Sequence, residues 1–221
     1  MTNNTEIIVN SFPDNNPDNN PDLVVGEDGL ARPVWAAKNE MLRNYYDTEW
    51  GMPVYGEQAH FERLCLEGFQ SGLSWALVLR KREALRRAFC HFDPDTVAGF
   101  TEEDVEHLLQ DESIIRNRRK IEAVITNARA TVALREEGGL EEFLWNYQPQ
   151  ETPVPYSQAQ VPASSPESHA LAQALKQKGF TFVGPKTMYS LMEAVGIVDT
   201  HLVGSHRRGT SGVWPKDEDE F

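Results

Sequence analysis

One carboxylate stands inside an otherwise apolar helical segment. In LCLEGFQSGLSW, residues 64–75, Glu67 lies among leucine, cysteine and phenylalanine, and the segment then enters a glycine-containing turn that ends on Trp75. An uncompensated carboxylate is costly to bury, so this residue needs a partner or a task. An ion pair with Arg63, four residues earlier, is the ordinary structural explanation. The alternative is that Glu67 faces a cavity and meets a positive charge there.

A second segment with chemical potential lies near the C-terminal end, in LKQKGFTFVGPKTMYSLMEAVGIVDTH, residues 175–201. Its pattern predicts a helix, a tight turn that holds Gly179 and Gly184, and a second helix. Small residues let backbone N–H groups point outward at the start of the second helix, where the helix dipole favours an anion. A DNA phosphate suits such a place. An ordinary helix–helix corner with a glycine cap would look the same if the turn stood alone.

The net charge of −13 argues at first against a nucleic-acid partner. Its distribution weakens that objection, because residues 1–31 contain six acidic and no basic residues and residues 216–221 carry a further −3, which leaves −4 for residues 32–215. Within that body the cations are clustered, in RKREALRR (80–87), RNRRK (116–120), KQKGFTFVGPK (176–186) and HRRG (206–209). Clusters of this kind can bind phosphate even on an acidic protein, although they are also typical of solvated helix faces.

The cellular setting is indicated by cysteine usage and by the lack of targeting signals. Cys65 and Cys90 are 25 residues apart, in no metal-binding or redox spacing, which favours a reducing compartment. No stretch approaches the roughly 20 apolar residues of a membrane span, and the N-terminus has no signal-peptide pattern. We expect a cytoplasmic protein without a membrane partner.

The chain divides into two tails and one helical body. PDNNPDNNPD, residues 13–22, has little to bury, so residues 1–31 are expected to be a disordered acidic tail, followed by a domain at 32–209 and an acidic C-terminal tail at 210–221. Apolar periodicity predicts helices over 58–70, 74–90, 113–136, 139–147, 166–178 and 185–196, with Thr101 and Ser165 as N-caps. No alternating run is long enough to predict a sheet. The fold class is therefore all-α, in two helical lobes joined by the Pro/Ser-rich loop 148–168.

Several long motifs resemble one known family, in order, over residues 32–209. They are YYDTEWG (45–51), LCLEGFQSGLSWALVLRKRE (64–83), FDPDTVAGFTEEDVEHLLQDESIIRNRRKIEAVITNARA (92–130), KGFTFVGPKTMYSLMEAVGIV (178–198) and HLVG (201–204). They resemble the DNA-3-methyladenine glycosylase I family. The resemblance implies a helix-hairpin-helix DNA glycosylase fold with the active site between its lobes, and excision of N3-methylated adenine from alkylated double-stranded DNA. It also implies a monomer that hydrolyses the bond without a cofactor.

The resemblance assigns roles to the residues around Glu67. The family's base pocket corresponds here to Glu67 and to the aromatic residues Trp35, Tyr45, Trp50 and Trp75. A base in a duplex must be flipped out to be reached, and N3-methylation gives it a positive charge that aromatic faces and a carboxylate attract. The turn that holds Gln70, Gly72 and Leu73 would fill the gap in the duplex. The hairpin, residues 176–187, would place Gly179, Gly184 and Lys186 on the DNA backbone.

The sequence departs from the family at its zinc site. Many members bind zinc through two cysteines and two histidines, at positions that correspond here to Pro33, Tyr46, His201 and Ser205. His201 alone is a zinc-binding residue type, and one histidine cannot make a four-coordinate structural site. We predict no metal and no other cofactor, and we expect packing by Tyr46 and Pro33 to hold the chain ends together.

A second departure concerns Asp199, where the family usually has asparagine. VDTH, residues 198–201, is also how related helix-hairpin-helix glycosylases present a catalytic aspartate, so Asp199 is a candidate for assisting hydrolysis. The alternative is that Asp199 caps or salt-bridges a helix end. Lys186 lies near the position of the Schiff-base lysine of bifunctional relatives, although a phosphate contact is the simpler role. Two other functions stay open: a glycosylase with a shifted or broader lesion range that uses Asp199, and a non-catalytic DNA-binding module.

Overall fold

The fold is a series of short helices preceded by one β-hairpin, and the computed structural model describes residues 20–215. Strands β1 (Leu23–Val25) and β2 (Ala31–Pro33) pair antiparallel, with Val24 opposite Arg32. The helices that follow are α1 (Val34–Ala37), α2 (Glu40–Thr48), α3 (Glu57–Gln70), α4 (Trp75–Ala88), α5 (Pro94–Ala98), α6 (Glu102–Gln110), α7 (Arg118–Leu134), α8 (Gly139–Trp145), α9 (Pro166–Gln177) and α10 (Pro185–Ala194). The all-α prediction is confirmed, with the hairpin as an addition.

Helix α3 is the centre of the molecule, because it packs against α4, α7, α8 and α10. Its apolar side chains Phe61, Leu64 and Leu66 are buried in a large core that extends from α3 to α10. A smaller cluster of Leu42, Tyr45 and Leu79 joins α2 to α4, and three apolar side chains, from α1, α2 and the segment after α2, pack on that cluster. Trp75 contacts both clusters, so the two apolar bodies meet at the start of α4.

Helix ends follow the predicted caps, with one exception. Ser165 caps α9 with Pro166 at its first position, and Thr101 forms a capping box with Asp104 at the start of α6. The helix predicted from residue 113 begins instead at Arg118. Residues 113–117 do not join the helix, because the side chain of Asp111 accepts a hydrogen bond from the backbone N–H of Ser113 and forms a turn there. Asn117 is the N-cap of the helix, and its side chain accepts a hydrogen bond from the backbone N–H of Lys120.

The described fold extends beyond the predicted domain limits at both ends. Asp22 accepts a hydrogen bond from the backbone N–H of Gln158 at 2.7 Å, which ties the hairpin to the Pro/Ser-rich loop. At the other end Trp214 is 9% exposed and its indole N–H donates to the carbonyl of Gly196 at 3.3 Å. Residues 20–31 and 210–215 therefore belong to the ordered body, and the limits 32 and 209 were wrong. The rest of the predicted tails, 1–19 and 216–221, lies outside the described residues.

None of the helices within residues 20–215 has the length and apolar character of a membrane span.

Candidate active site

A cavity of about 440 Å³ opens where the two apolar clusters meet. This volume falls in the range of small-molecule sites and is ample for one purine base. Three groups of residues line the cavity: side chains from the β2–α4 region, a stretch of the Pro/Ser-rich loop, and the end of α10 with the segment after it. They are Pro33, Trp35, Tyr45, Tyr46, Trp50, Glu67, Gln70, Trp75, Gln158, Val161, Pro162, Ala163, Ser190, Glu193, Thr200, His201 and Leu202.

All four predicted aromatic residues reach this cavity. The rings of Tyr45 and Trp75 lie 5.3 Å apart between centroids, and Trp35 meets Trp50 edge-on at 5.7 Å. Tyr46, which we expected only to pack between the chain ends, stacks on Trp50 and also lines the cavity. The indole N–H of Trp75 is buried without a hydrogen-bond partner among residues 20–215. These rings provide several π-faces and one free donor for a planar ligand.

Glu67 is buried beside these rings, at 5% exposure, and the simple ion pair with Arg63 is not formed. Arg63 instead donates to Glu49 at 2.8 Å, a carboxylate that Arg82 also binds. Within the described part of the chain no side chain or backbone group hydrogen-bonds to the Glu67 carboxylate. Burial raises its pKa to about 8, and the negative charge of Glu193 adds to that effect. Among residues 20–215, Glu67 is thus a buried carboxylate without a hydrogen-bond or ion-pair partner.

Glu193 is a second cavity carboxylate, which the sequence analysis missed. It lies on α10 and accepts a hydrogen bond from the Thr200 hydroxyl at 2.6 Å. Burial raises its pKa to about 7, although the bond from Thr200 opposes the shift. The available signal was the one that singled out Glu67: a lone glutamate in an apolar run, here LMEAVG. Ser190, one turn earlier on the same helix, was also missed.

The Pro/Ser-rich loop forms one wall of the cavity, although its sequence indicated only a connection between lobes. Gln158, Val161, Pro162 and Ala163 supply this wall. No local pattern could have predicted their role, because the loop is held by Asp22, whose partner Gln158 lies 136 residues along the chain.

Asp199 lies outside the cavity lining, and both of its carboxylate oxygens are occupied. One oxygen accepts from the backbone N–H and the ring Nδ1–H of His201, at 3.0 and 2.7 Å, and the other accepts from the backbone of Gly209 at 2.8 Å. Burial alone would raise the pKa of Asp199, but these hydrogen bonds hold it below its ordinary value. The geometry favours the capping alternative over a catalytic role.

The turn predicted to fill the gap in the duplex, which holds Gln70, Gly72 and Leu73 and which we call the wedge, follows α3 directly. A buried lysine supports it. Gln70 lines the cavity, Gly72 is exposed with a φ of 77°, and Leu73 is half-buried. Lys120 on α7 is 7% exposed and donates to the carbonyls of Phe69 and Ser71 at 2.7 and 2.6 Å. The end of α3 and the start of the turn are therefore fastened to α7.

The predicted hairpin connects α9 to α10, away from the cavity lining. Gly179 follows α9 with a φ of 90°, and Gly184 is the N-cap of α10, before Pro185. The Asn127 side chain accepts from the backbone N–H of Thr181 at 2.8 Å and donates to its carbonyl at 3.1 Å, which fixes the loop. Lys186 is exposed and does not line the cavity, which favours a phosphate contact over Schiff-base chemistry.

The positions that correspond to the family's zinc ligands do not fit a zinc ion. Pro33 has no ligating atom, and the hydroxyls of Tyr46 and Ser205 are hydrogen-bonded to each other. Residues 20–215 contain no group of three histidine, cysteine, aspartate or glutamate side chains that could hold a metal. The chain ends are joined instead by the Tyr46–Ser205 pair and by His206, whose ring contacts the carbonyl of Ala31 at 2.8 Å and Asp47 at 3.3 Å. We call these contacts the hydrogen-bonded clasp.

We expect this clasp to be independent of metal. Excess chelator should leave the thermal midpoint of the wild-type protein unchanged, because no residue at these positions depends on an ion. Tyr46→Phe should lower the free energy of unfolding by about 1 kcal/mol, since it leaves the buried Ser205 hydroxyl without its partner. The double variant Tyr46→Phe/Ser205→Ala should recover most of this loss, because both polar groups are then removed. Urea denaturation checks these values, and a midpoint that falls with chelator and returns with zinc would contradict the expectation.

Known proteins are similar to this chain over most of its length. Residues 35–208 match the protein family described as methyladenine glycosylase. The chain is 46% identical over 179 residues to DNA-3-methyladenine glycosylase 1 of Escherichia coli K12, covering 79% of this chain and 95% of that protein. It is 41% identical over 172 residues to the DNA-3-methyladenine glycosylase of Haemophilus influenzae, covering 76% and 92%. A structure that addresses 3-methyladenine recognition by the Staphylococcus aureus enzyme TAG superposes with a TM-score of 0.71 at 34% identity, covering 75% of this chain and 89% of that one.

Proposed function

Since this chain belongs to the methyladenine glycosylase family, we propose that it binds a flipped N3-methylated adenine in the cavity beside Glu67 and Trp75 and hydrolyses the N-glycosidic bond. It is a DNA-3-methyladenine glycosylase of base excision repair, with the DNA glycosylase fold that the resemblance implied. The observation that carries the binding mode is a buried carboxylate, set among aromatic rings, that has no partner in the part of the chain the structure describes.

Charge complementarity explains why such a costly carboxylate is kept. An N3-methylated adenine in DNA is a cation, and a cation over aromatic faces is attracted by the ring quadrupole. A positive charge next to Glu67 would also lower its pKa from about 8, so that the carboxylate ionises when the lesion enters. An unmodified adenine brings no charge and therefore leaves Glu67 protonated. This difference supports selection of the methylated base.

Flipping the base out of the duplex requires the wedge and the hairpin between α9 and α10. Unstacking a base costs a few kcal/mol, which contacts made by an inserted side chain can offset. Gln70 and Leu73 are the candidates for insertion, because they occupy the turn that borders the cavity. On the other side, the N-terminus of α10 after Gly184 offers backbone N–H groups to a phosphate, with Lys186 exposed one residue after the first residue of the helix. Double-stranded DNA is the partner that fits both features.

Hydrolysis in this site needs no group besides the protein and water. Methylation at N3 already weakens the glycosidic bond, so stabilising the sugar cation and positioning water suffice. A monofunctional reaction is part of the proposal, supported by the placement of Lys186 outside the cavity lining. A cytoplasmic location is also part of it, supported by the two cysteines, which are both free thiols, one buried and one exposed. A monomeric state completes the proposal, as the family resemblance implies.

Release of free bases from methylated DNA tests the function. DNA treated with a methylating agent is incubated with the protein, and the released bases are identified by chromatography. We expect 3-methyladenine alone. Release of 7-methylguanine or hypoxanthine in comparable amounts would indicate the broader lesion range instead. Absence of any release, with DNA binding retained, would indicate a non-catalytic DNA-binding module.

A further inference from the structure

Glu67 accounts for recognition of the cationic base, and the proposed function assigns no role to the second carboxylate of the cavity, Glu193. The two residues come from α3 and α10, which pack directly against each other. Glu193 is half-buried, whereas Glu67 is 5% exposed, so Glu193 is the more solvent-accessible of the two. Among the described residues that line the cavity, they are the only carboxylates.

The reaction itself creates a need for a second carboxylate. Before the bond breaks, the positive charge resides on the methylated base. As the bond breaks, its electron pair moves to the base, which becomes neutral, while the positive charge passes to the sugar. A carboxylate that interacts with the base alone therefore keeps only part of its advantage in the transition state, where the base is still partly charged. A group that accelerates the reaction must act where the charge develops.

The other candidate acid and base near the cavity, Asp199 and His201, are hydrogen-bonded or buried away from water. Asp199 is outside the lining and has both oxygens occupied by His201 and Gly209. The ring of His201 uses Nδ1 for that bond, and its Nε2, which has no hydrogen-bond partner among residues 20–215, is buried against Gly51. On Glu193 the Thr200 hydroxyl occupies Oε1, and within residues 20–215 the atom Oε2 has no hydrogen-bond partner. Glu193 thus keeps one oxygen for water.

Helix α10 carries Glu193 and, at its N-terminus, the backbone N–H groups expected at a DNA phosphate. The helix starts at Pro185, directly after the glycine expected at a DNA phosphate, and Glu193 follows eight residues later, about 12 Å along the axis. In a flipped nucleotide the sugar lies between the phosphates and the base. Glu193 lies near the other end of the same helix and lines the base cavity, so a nucleotide that reaches from the helix start into the cavity has its sugar along α10.

On this basis, and resting on the function proposed above, we propose that Glu193 is the catalytic base of the reaction and a stabiliser of the sugar cation. Water forms the new bond to C1′ while the bond from C1′ to the base breaks. The electron pair of the broken bond stays on the base, which leaves as neutral 3-methyladenine. One proton of the water passes to Oε2 of Glu193, and the remaining hydroxyl stays on the sugar. Glu193 then returns its proton to solvent.

This role has a defined pH dependence. The titratable groups around Glu193 are Glu67 on α3, Tyr45 and Tyr46 on α2, Tyr189 on its own helix, and His201 in the lining. A base must be deprotonated, and burial raises the pKa of Glu193 to about 7, so the excision rate should rise as pH increases through that region. Since the Thr200 hydroxyl lowers this pKa, Thr200→Val should move the rise to higher pH.

The decisive variant is Glu193→Gln, which keeps an acceptor for Thr200 and so preserves the local structure. Release of 3-methyladenine from methylated DNA is followed in single turnovers, with saturating protein, between pH 5.5 and 8.5. We expect a rate about 100-fold below wild type and loss of the rise with pH, because general-base contributions are of this size. Affinity for free 3-methyladenine, measured by tryptophan fluorescence, should stay within about two-fold of wild type. Glu103→Gln, an exposed glutamate on α6, is the matched control and should match wild type.

Each alternative outcome has a distinct meaning. A wild-type rate in Glu193→Gln, or an unchanged pH profile, overturns the catalytic role. A saturating rate equal to wild type, combined with weak binding of free 3-methyladenine, would make Glu193 a base-binding residue and also overturns it. If the wild-type protein releases no 3-methyladenine, the proposed function fails first, independently of Glu193.

Discussion

Glu67→Gln should yield a protein that excises 3-methyladenine at least about 100-fold more slowly than wild type yet is more stable in alkaline solution. The loss of rate follows because the neutral amide cannot meet the positive charge of the lesion, and a charge interaction in a dry cavity is worth far more than in water. Glutamine keeps the shape of the cavity, so the effect reports charge alone. Selectivity should fall as well, since unmodified adenine no longer differs from the lesion in its effect on residue 67.

The gain in stability follows from the raised pKa of Glu67. Its ordinary value is 4.5 and its value in the fold is about 8, so between these limits the folded state holds a proton that the unfolded state has released. Wild-type stability therefore declines as pH rises from about 4.5 to 8, by at most about 1.4 kcal/mol per pH unit. Glutamine does not titrate. Relative to wild type, the variant should be nearly unchanged at pH 4 and more stable by on the order of 3 kcal/mol at pH 8 and above.

Denaturation in urea at pH 4, 6 and 8.5, together with single-turnover release of 3-methyladenine, checks both parts. Glu62→Gln is the matched control on α3, because Glu62 is ion-paired with Arg86 and lies outside the cavity lining. It should retain wild-type excision and gain no stability at high pH. A Glu67→Gln variant that is less stable than wild type at pH 8.5 would contradict the assignment of a raised pKa.

Lys120→Met should weaken both the fold and the action on duplex DNA. The substitution leaves the carbonyls of Phe69 and Ser71 without their charged donor, at a cost of about 3 kcal/mol, because hydrogen bonds to charged groups are strong and buried acceptors left unpaired are costly. The wedge turn that follows loses its support on α7. We expect excision from duplex DNA to fall by about ten-fold at temperatures where the variant is fully folded. Affinity for free 3-methyladenine should be nearly unchanged, because Lys120 does not line the cavity.

The control is Lys81→Met, which removes a half-buried lysine whose ammonium also donates to a carbonyl, that of Glu112 at 3.0 Å, in a solvent-exposed hydrogen bond. It should cost less than about 1 kcal/mol, as exposed polar contacts generally do. Equal losses of stability in the two variants would argue against a special role for Lys120. A parallel loss of free-base affinity in Lys120→Met would mean that the cavity, rather than the turn, has been disturbed.

Local pattern predicted those parts of the fold that depend on local physics. Apolar periodicity and caps located α3, α9 and α10 within one or two residues, and family resemblance led from Glu67 to the aromatic residues that share its cavity. The β-hairpin formed by β1 and β2 was missed because its strands are three residues long and are held by polar contacts to distant loops. The role of Asp199 could not be predicted for a similar reason. The motif VDTH contains a carboxylate but does not reveal that its oxygens accept hydrogen bonds from His201 and Gly209.

Glu193 was missed for a different reason. The sequence around Glu193 resembles that around Glu67, because each is a lone glutamate in an apolar run. Whether such a glutamate is catalytic or structural depends on the residues of other elements that face it. That surface is formed by α3, which is far from LMEAVG in sequence, and by Thr200, seven residues after Glu193. The relation between the two carboxylates is therefore a property of tertiary packing, as is the wall formed by the Pro/Ser-rich loop.

The hydrogen-bonded clasp has a consequence for durability during alkylation stress. Thiolates are the nucleophiles that methylating agents attack most readily on proteins, and a zinc-binding cysteine is held as a thiolate. Neither Pro33 nor Ser205 offers a sulfur atom, and the buried Cys65 has its pKa raised by burial, which keeps it in the unreactive thiol form. The chemistry that generates the substrate thus finds no thiolate among the residues of the hydrogen-bonded clasp, and these contacts can persist while DNA around the protein is being methylated.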